Sequence, residues 1–423
     1  MLPRYLSSAD PARLEFAVTA ATHFLFVLLT LGLVTIVAVM QTRYARSGDP
    51  ELGRMTRFWG LLYVVNYAVG IATGLVMEFQ FGLNWEGLGE VAGDVFGAPL
   101  AMETVTAFVV ESTLLGMWIF GWGHLGRRLH TALIWGVAAT AYLSAFWVMV
   151  SNAFLQHPVG YALGPDGRAR LTSFTALLGN PALGLALGHV VTAALLTGGV
   201  FVAGVSAWHL RRGDDPLFRR SLRYGVLAGF SGAFLVVMFG GPQFEVISST
   251  QPAKLAEGAE LARVQADLAA RYGPGDYAPP AWIHDAKITM MALWGVLFVL
   301  MVLTLFLLPR QMPLTGRTAR VLLRAVVWSI PLPFAAAGCG WLFREVGRQP
   351  WVVYGVLRTS DAVSPLSGGA LAASLVAFGL LVVGLAGVDW WLLARLARRG
   401  PGDEFLPVDA PGADDRILAT VEA

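Results

Sequence analysis

Phe16-Ala-Val-Thr-Ala-Ala-Thr-His23-Phe-Leu-Phe-Val-Leu-Leu-Thr-Leu-Gly-Leu-Val-Thr-Ile-Val-Ala-Val-Met40 is an unbroken run without Asp, Glu, Lys or Arg. About 20 such residues, rising 1.5 Å each as a helix, cross roughly 30 Å of hydrocarbon. The run is longer than the apolar segment of a secretion signal, and no strongly basic segment or small-residue cleavage site frames it, so it reads as a retained first membrane helix. Comparable runs recur near 57–77, 98–122, 131–152, 184–209, 222–241, 286–309, 322–342 and 368–395. The pattern predicts an all-α integral membrane protein of nine spans with no internal repeat.

Composition agrees. Of 423 residues, 56 % are hydrophobic and 14 % charged, against roughly 25 % charged in soluble proteins. The 48 Gly, 24 Phe and 14 Trp suit helices packed closely in lipid with aromatic rings at the interfaces. A net charge of +2 gives no reason to expect a nucleic-acid partner. The single cysteine, Cys339, excludes an internal disulfide and the usual cysteine-held zinc or iron–sulfur site. Any metal would have to be held by His, Met or carboxylate.

If the spans alternate, 19 of the 30 basic residues, among them Arg43, Arg127, Arg220, Arg317 and Arg399, fall on one side. Glu78 to Pro99 carries four carboxylates and no Lys or Arg. The positive-inside rule then places the N-terminus outside and the C-terminus in the cytoplasm. The domain reading is a helical bundle over 1–399 and a short disordered cytoplasmic tail over 400–423. Outer connections of note are 153–183 and 242–285. The second holds a stripe of Leu261, Val264, Leu268 and Tyr272, with Glu260–Arg263 and Asp267–Arg271 pairs on its wet face. Such a helix could be a surface cap or a substrate lid.

Ionisable groups inside a span cost about 2.5–3.5 kcal/mol each on insertion scales, so each asks for a partner, a cofactor or a proton path. His23 lies in span 1, Glu103 and Glu111 in span 3, His189 opens span 5, Met290 and Met291 lie in span 7, and Glu345 and Arg348 follow span 8. Alternation puts all of them in the outer half. Glu103 and Glu111 are two i+4 steps apart, roughly 80° around a regular helix, so both can face one cavity. With Ser112 beside the second they suit a proton relay. Imidazole and thioether are haem-iron ligands; a His/Met pair makes an electron-transfer centre, and a lone His leaves a position for oxygen. With no CxxCH motif, such a haem would be non-covalent.

Five blocks then resemble subunit I of cytochrome bd-type quinol oxidases. They are Arg13-Leu-Glu-Phe-Ala-Val-Thr-Ala-Ala-Thr-His23, Gly74-Leu-Val-Met-Glu-Phe-Gln-Phe-Gly-Leu-Asn-Trp85, Gly97-Ala-Pro-Leu-Ala-Met-Glu103, Phe108-Val-Val-Glu-Ser-Thr113 and Gly340-Trp-Leu-Phe-Arg-Glu-Val-Gly-Arg-Gln-Pro-Trp351. The likeness covers nearly the whole chain. It implies a nine-helix catalytic subunit in a bacterial or archaeal plasma membrane, with two haems b and one haem d, the last replaceable by haem b. It implies oxidation of membrane quinol, reduction of molecular oxygen to water, a second large subunit (subunit II), and often a small single-span one.

By the same resemblance His189 matches an axial ligand of the low-spin haem b, with Met290, rather than Met291 or another group, as the thioether opposite. His23 and Glu345 match the ligands of the high-spin haems, in either order. Glu103, Glu111, Ser112 and Ser144 match the proton route, and Trp341, Arg348 and Gln349 the haem surround. The 242–285 connection resembles the quinol loop through Gln251-Pro-Ala-Lys-Leu-Ala256, with Lys254 the quinol-contacting lysine. Two departures stand out. Ala259 replaces a carboxylate that Glu257 and Glu260 flank, with Glu257 preferred, and span 7 opens His284-Asp-Ala-Lys-Ile-Thr-Met-Met291 where the family has an aromatic-Arg-Ile-Met stretch. Lys287 can stand for that arginine, and His284 is an alternative ligand.

Two rivals follow: a haem-bearing paralogue with another electron donor, and a proton-coupled transporter. The transporter has no use for His23, His189 and Glu345 together. The topology makes its own prediction: a fluorescent protein fused after Ala423 should mature in the cytoplasm, whereas a periplasmic phosphatase fused there should be inactive.

Overall fold

Three of the long helices begin at an Asx-Pro pair. Asp49 Oδ1 accepts from Glu51 N, Asn180 Oδ1 from Ala182 N and Asp215 Oδ1 from Leu217 N, each at 2.9 Å, while Pro50, Pro181 and Pro216 occupy the first helical position. The side chain satisfies an orphan N–H and proline lacks the one it would leave unpaired. In the computed structural model, which describes residues 9–307 and 316–402, such signals frame a helical bundle. The expected tail beyond Gly402 lies outside the described residues.

Among the described residues nine helices are long and apolar enough to cross a membrane: Ala12–Ser47, Pro50–Asn84, Glu86–Phe120, Arg127–Gln156, Pro181–Leu210, Pro216–Thr250, Ile283–Leu307, Arg317–Arg348 and Gly368–Arg399. They are spans 1 to 9; seven contain the whole of the expected run, span 3 ends at Phe120, two residues short of the expected 122, and the described part of span 7 ends at Leu307. Most extend past the expected run, because helical hydrogen bonding does not stop at the edge of the hydrocarbon. Thus Glu78–Pro99, expected as a connection, is helical apart from Trp85, and the connection expected over 242–285 shrinks to 251–282 because span 6 continues to Thr250.

Span 5 sits at the centre, against spans 1 and 6, and its contacts need glycine. A Cβ on Gly199 would lie 2.2 Å from Gly229 N, one on Gly232 2.3 Å from Leu196 N, and one on Gly32 2.2 Å from Ala194 O. Backbones therefore touch directly, the usual route to association where lipid is as apolar as leucine. Two spans are irregular. Val105–Glu111 of span 3 is a π-helix, and span 8 breaks between Trp328 and Leu332, ahead of which Pro331 has no N–H to continue the helix.

At the N-terminal end of span 1, called the outer end here, short strands Tyr161–Leu163 and Ala169–Leu171 pair, as do Trp351–Val353 and Leu357–Arg358. The expected loop helix is Gly258–Tyr272. Its stripe is dry: Leu268 is buried with Ala253, Tyr277 and Trp351, and Leu261, Val264 and Tyr272 pack beside them. The expected ion pairs on its wet face do not form, since exposed pairs gain little over solvation; Arg271 lies over the Tyr272 ring instead, 5.1 Å from its centroid.

Gly199→Leu should destabilise the solubilised protein by about 1–3 kcal/mol or more through overpacking. Gly241→Ala, where nothing lies within 4 Å, should leave the thermal midpoint unchanged or slightly raised. Thermal unfolding of both variants checks this.

Candidate functional site

Both imidazoles singled out in the sequence are held through Nδ1. The Thr73 hydroxyl donates its only proton to Gly70 O at 2.8 Å, so at 3.0 Å from His23 Nδ1 it must accept. His189 Nδ1 lies 3.0 Å from Val236 O, a carbonyl that can only accept. In both rings the proton is therefore on Nδ1 and the lone pair on Nε2, the state in which an imidazole ligates iron with its second nitrogen anchored. Glycine faces each ring: a Cβ on Gly74 would sit 3.2 Å from His23 Cε1, and one on Gly240 2.8 Å from His189 Nδ1. Met290 points into the bundle, its Sδ 2.8 Å from where a Gly340 Cβ would be, whereas Met291 is 51 % exposed. His284 instead faces Glu257, with Nδ1 2.9 Å from Oε1.

Span 8 ends in a buried charge cluster. Glu345, 6 % exposed, accepts at Oε1 from Asn152 Nδ2 at 2.7 Å and Gln156 Nε2 at 3.2 Å, and at Oε2 from Arg348 Nη2 at 2.8 Å. Arg344 Nε donates to Asn152 Oδ1 at 2.8 Å. Lys254, expected in the quinol loop, is buried beneath it, and donates to Gln156 Oε1 at 3.2 Å and Arg344 O at 2.9 Å. Its stem lies on Gly347, where a Cβ would meet Lys254 Cε at 3.0 Å. Burial, with Arg344 and Arg348 nearby, holds the Lys254 ammonium well below its ordinary pKa. The two guanidinium groups of Arg344 and Arg348 against the one carboxylate of Glu345 leave an excess of buried positive charge without counting Lys254. Arg344 Nη2 and Arg348 Nε and Nη1 are buried donors with no hydrogen-bond partner among the described residues. Gln349 Oε1 accepts from Thr359 at 2.6 Å, and Trp341 meets Phe16 of span 1 with ring centroids 6.2 Å apart.

The glutamates of span 3 depart from expectation. Ser144 Oγ donates to Glu103 Oε1 at 3.1 Å, and Glu111 is 3 % exposed. Ser112, however, donates to Phe108 O of its own helix. The π segment ends at Glu111 and widens the turn, so the angle derived for a regular helix does not apply. Nor is Glu111 at the outer depth of the histidines. Gly60 of span 2 packs on Trp118, and Tyr67 Oη lies 3.5 Å from Ala107 O, which sets Glu111 between the levels of Tyr63 and Tyr67. That is roughly 10–15 Å along span 2 from Thr73 and His23. The carboxylates form a column running inward, because span 3 begins far outside its apolar run.

Asn152, Gln156, Thr73 and Arg344 were not singled out in the sequence. Asn152 and Gln156, four residues apart at the outer end of span 4, carried a periodic polar signal. Thr73 carried none, since a lone threonine in a span is ordinary. His130 stands apart: Nε2 lies 2.8 Å from Trp118 O and Nδ1 2.9 Å from Gln41 Nε2, so both nitrogens are committed.

These features define a class: a multi-pass membrane subunit with imidazole and thioether donors, buried carboxylates and free guanidinium N–H groups at one end. The family model for cytochrome bd terminal oxidase subunit I matches residues 11–273 and 267–401. The chain is 35 % identical to cytochrome bd ubiquinol oxidase subunit 1 of Bacillus subtilis, over 92 % of this chain and 93 % of that protein. It is 32 % identical to cytochrome bd-II ubiquinol oxidase subunit 1 of Escherichia coli, over 93 % and 96 %. In fold it is similar to the bd oxidase structure from Geobacillus thermodenitrificans, with a TM-score of 0.83 at 24 % identity, covering 93 % of this chain and 99 % of that one. The chain belongs to the cytochrome bd terminal oxidase subunit I family, whose members carry haem and work beside a subunit II.

Glu345→Ala leaves Arg348 buried without its anion and should cost about 3–5 kcal/mol. Glu345→Gln keeps an acceptor for Asn152 and should cost less. The order of the two thermal midpoints tests whether the charge or the hydrogen bonding dominates.

Proposed function

We propose that this chain is the catalytic subunit of a quinol:oxygen oxidoreductase in the plasma membrane, oxidising quinol at the outer end and reducing oxygen to water with protons drawn from the cytoplasm. Proton-motive force then arises without pumping. The observation that carries the reading is the pair of Nδ1-anchored imidazoles, His23 and His189, in one bundle with buried, unpartnered guanidinium donors.

The residues fit haem. Two haems b and one haem d, or a third haem b in its place, would be held by His23, His189, Met290 and Glu345; when bound they store electrons and bind oxygen. His189, anchored on span 6, and Met290, packed against Gly340 of span 8, would supply the imidazole and the thioether for the low-spin haem. Glu345 has three direct donors and about four lone-pair sites, which leaves room for one metal bond. Arg344 and Arg348 supply the N–H groups that propionates need, and Trp341 and Gln349 wall the same region.

Glu103, Ser144 and Glu111 hold and pass protons along the column, with Ser112 keeping its helix turn closed. Lys254 and Glu257 mark the quinol region. Lys254, lying under the loop, acts once the loop admits a headgroup, and Glu257 at the surface takes a released proton. The loop helix, fixed through Trp351 to the segment carrying Arg348, is then a lid rather than a bare cap. A small single-span subunit is a further expected partner.

The purified complex should show stoichiometric haem by pyridine haemochrome, and a reduced-minus-oxidised spectrum should type the centres. Lys254→Ala should lower quinol-driven oxygen uptake about tenfold, the scale of one lost polar contact, with the haem spectrum retained. A haem-free protein would restore the transporter reading. Full haem without quinol-driven uptake would mean a different electron donor.

A further inference from the structure

Glu111 has an unused oxygen, and a phenol beside it has an unused hydroxyl. Glu111 Oε1 and Tyr63 Oη are both buried with no hydrogen-bond partner among the described residues. Tyr63 is fully buried. A buried polar atom left unpaired costs about 1–3 kcal/mol, and two at one level in one bundle are not independent accidents. Spans 2 and 3 run antiparallel, with Tyr67 Oη over Ala107 O and Gly60 against Trp118. Tyr63 and Tyr67 therefore bracket Glu111, and both phenols lie within electrostatic reach of its carboxylate. Their rings are 5.8 Å apart. The π-helix of span 3 closes at this residue, and such segments recur at functional sites.

We propose that Tyr63 is a positioning residue for Glu111, joined to it through one bound water between Oη and Oε1, and that Tyr67 continues this second arm of the proton route along span 2 toward Thr73 and His23. Tyr63, Tyr67, Gly70 and Thr73 follow at helical spacing on span 2, and Thr73 holds the His23 ring. A water with a phenol on one side and a carboxyl on the other has the polar partners that a buried water requires. The phenol gives direction: it can donate to the water while the carboxyl is ionised and accept from it when the carboxyl is protonated. No bond beyond O–H is made or broken, and no electron moves.

The inference rests on the reading of Glu111 as a proton carrier, so the test separates the two. In the purified oxidase complex, the carboxyl stretching band of Glu111 is assigned by its loss in Glu111→Gln. Tyr63→Phe, which keeps ring volume and packing, should move that band to higher wavenumber and slow proton uptake during reoxidation about tenfold. In the Glu111→Gln background it should add nothing, as coupled sites behave. Tyr67→Phe should give a smaller shift of the same sign. An unmoved band in Tyr63→Phe, or an additive loss in the double variant, overturns the pairing. A shifted band with proton uptake normal in both Glu111→Gln and Tyr63→Phe upholds the contact and instead removes Glu111, and the arm with it, from the proton route.

Discussion

Charge buried at the outer end of the bundle is the constraint on which the rest depends. Glu345 among Lys254, Arg344 and Arg348 would be costly in a low dielectric if any member faced it alone. Three separate stretches of chain must therefore meet there: the end of span 4 with Asn152 and Gln156, the turn after span 6 with Lys254, and the end of span 8, which runs on into the strand at Trp351. Hydrogen bonds among them fix the ends of the spans relative to each other. The loop helix then gains a floor, since Trp351 continues the chain that carries Arg348 and stacks beneath Tyr277 with centroids 5.7 Å apart.

The rest of the bundle is held differently. Spans 1, 5 and 6 meet through glycine, backbone on backbone, which leaves no polar group to satisfy and makes a rigid axis. His189 stands on that axis with its Nδ1 proton given to span 6. His23 is held from span 2 through Thr73. Each of the two imidazoles is thus anchored by a helix other than its own, so its orientation becomes a property of helix packing.

Proton handling belongs to a third region. Span 3 keeps little of its surface buried inside the chain: Val105, Val109 and Val110 are exposed while Glu111 is buried. An exposed apolar face on one side and a buried carboxylate on the other are consistent with a span that lies at the rim of this subunit, where a second subunit can cover it. The π segment turns Glu111 inward, and the tyrosines of span 2 meet it there.

Sequence alone determined the number of spans, their order and most of the candidate ligands, because hydrocarbon thickness sets a length that any apolar run must satisfy and because a charged group inside such a run is conspicuous. It did not determine where helices end beyond the lipid, as with Glu78–Pro99, since nothing in a local pattern distinguishes a helix in water from a loop. Nor did it determine depth and direction. The spacing of Glu103 and Glu111 assumed a regular helix, Lys254 was expected in the outer quinol loop with no sign of its burial against the end of span 8, and the partners Thr73, Asn152 and Gln156 were not singled out. Which nitrogen carries a proton, and which cation faces which carboxylate, depend on contacts between residues far apart in the chain, so only the tertiary structure decided them.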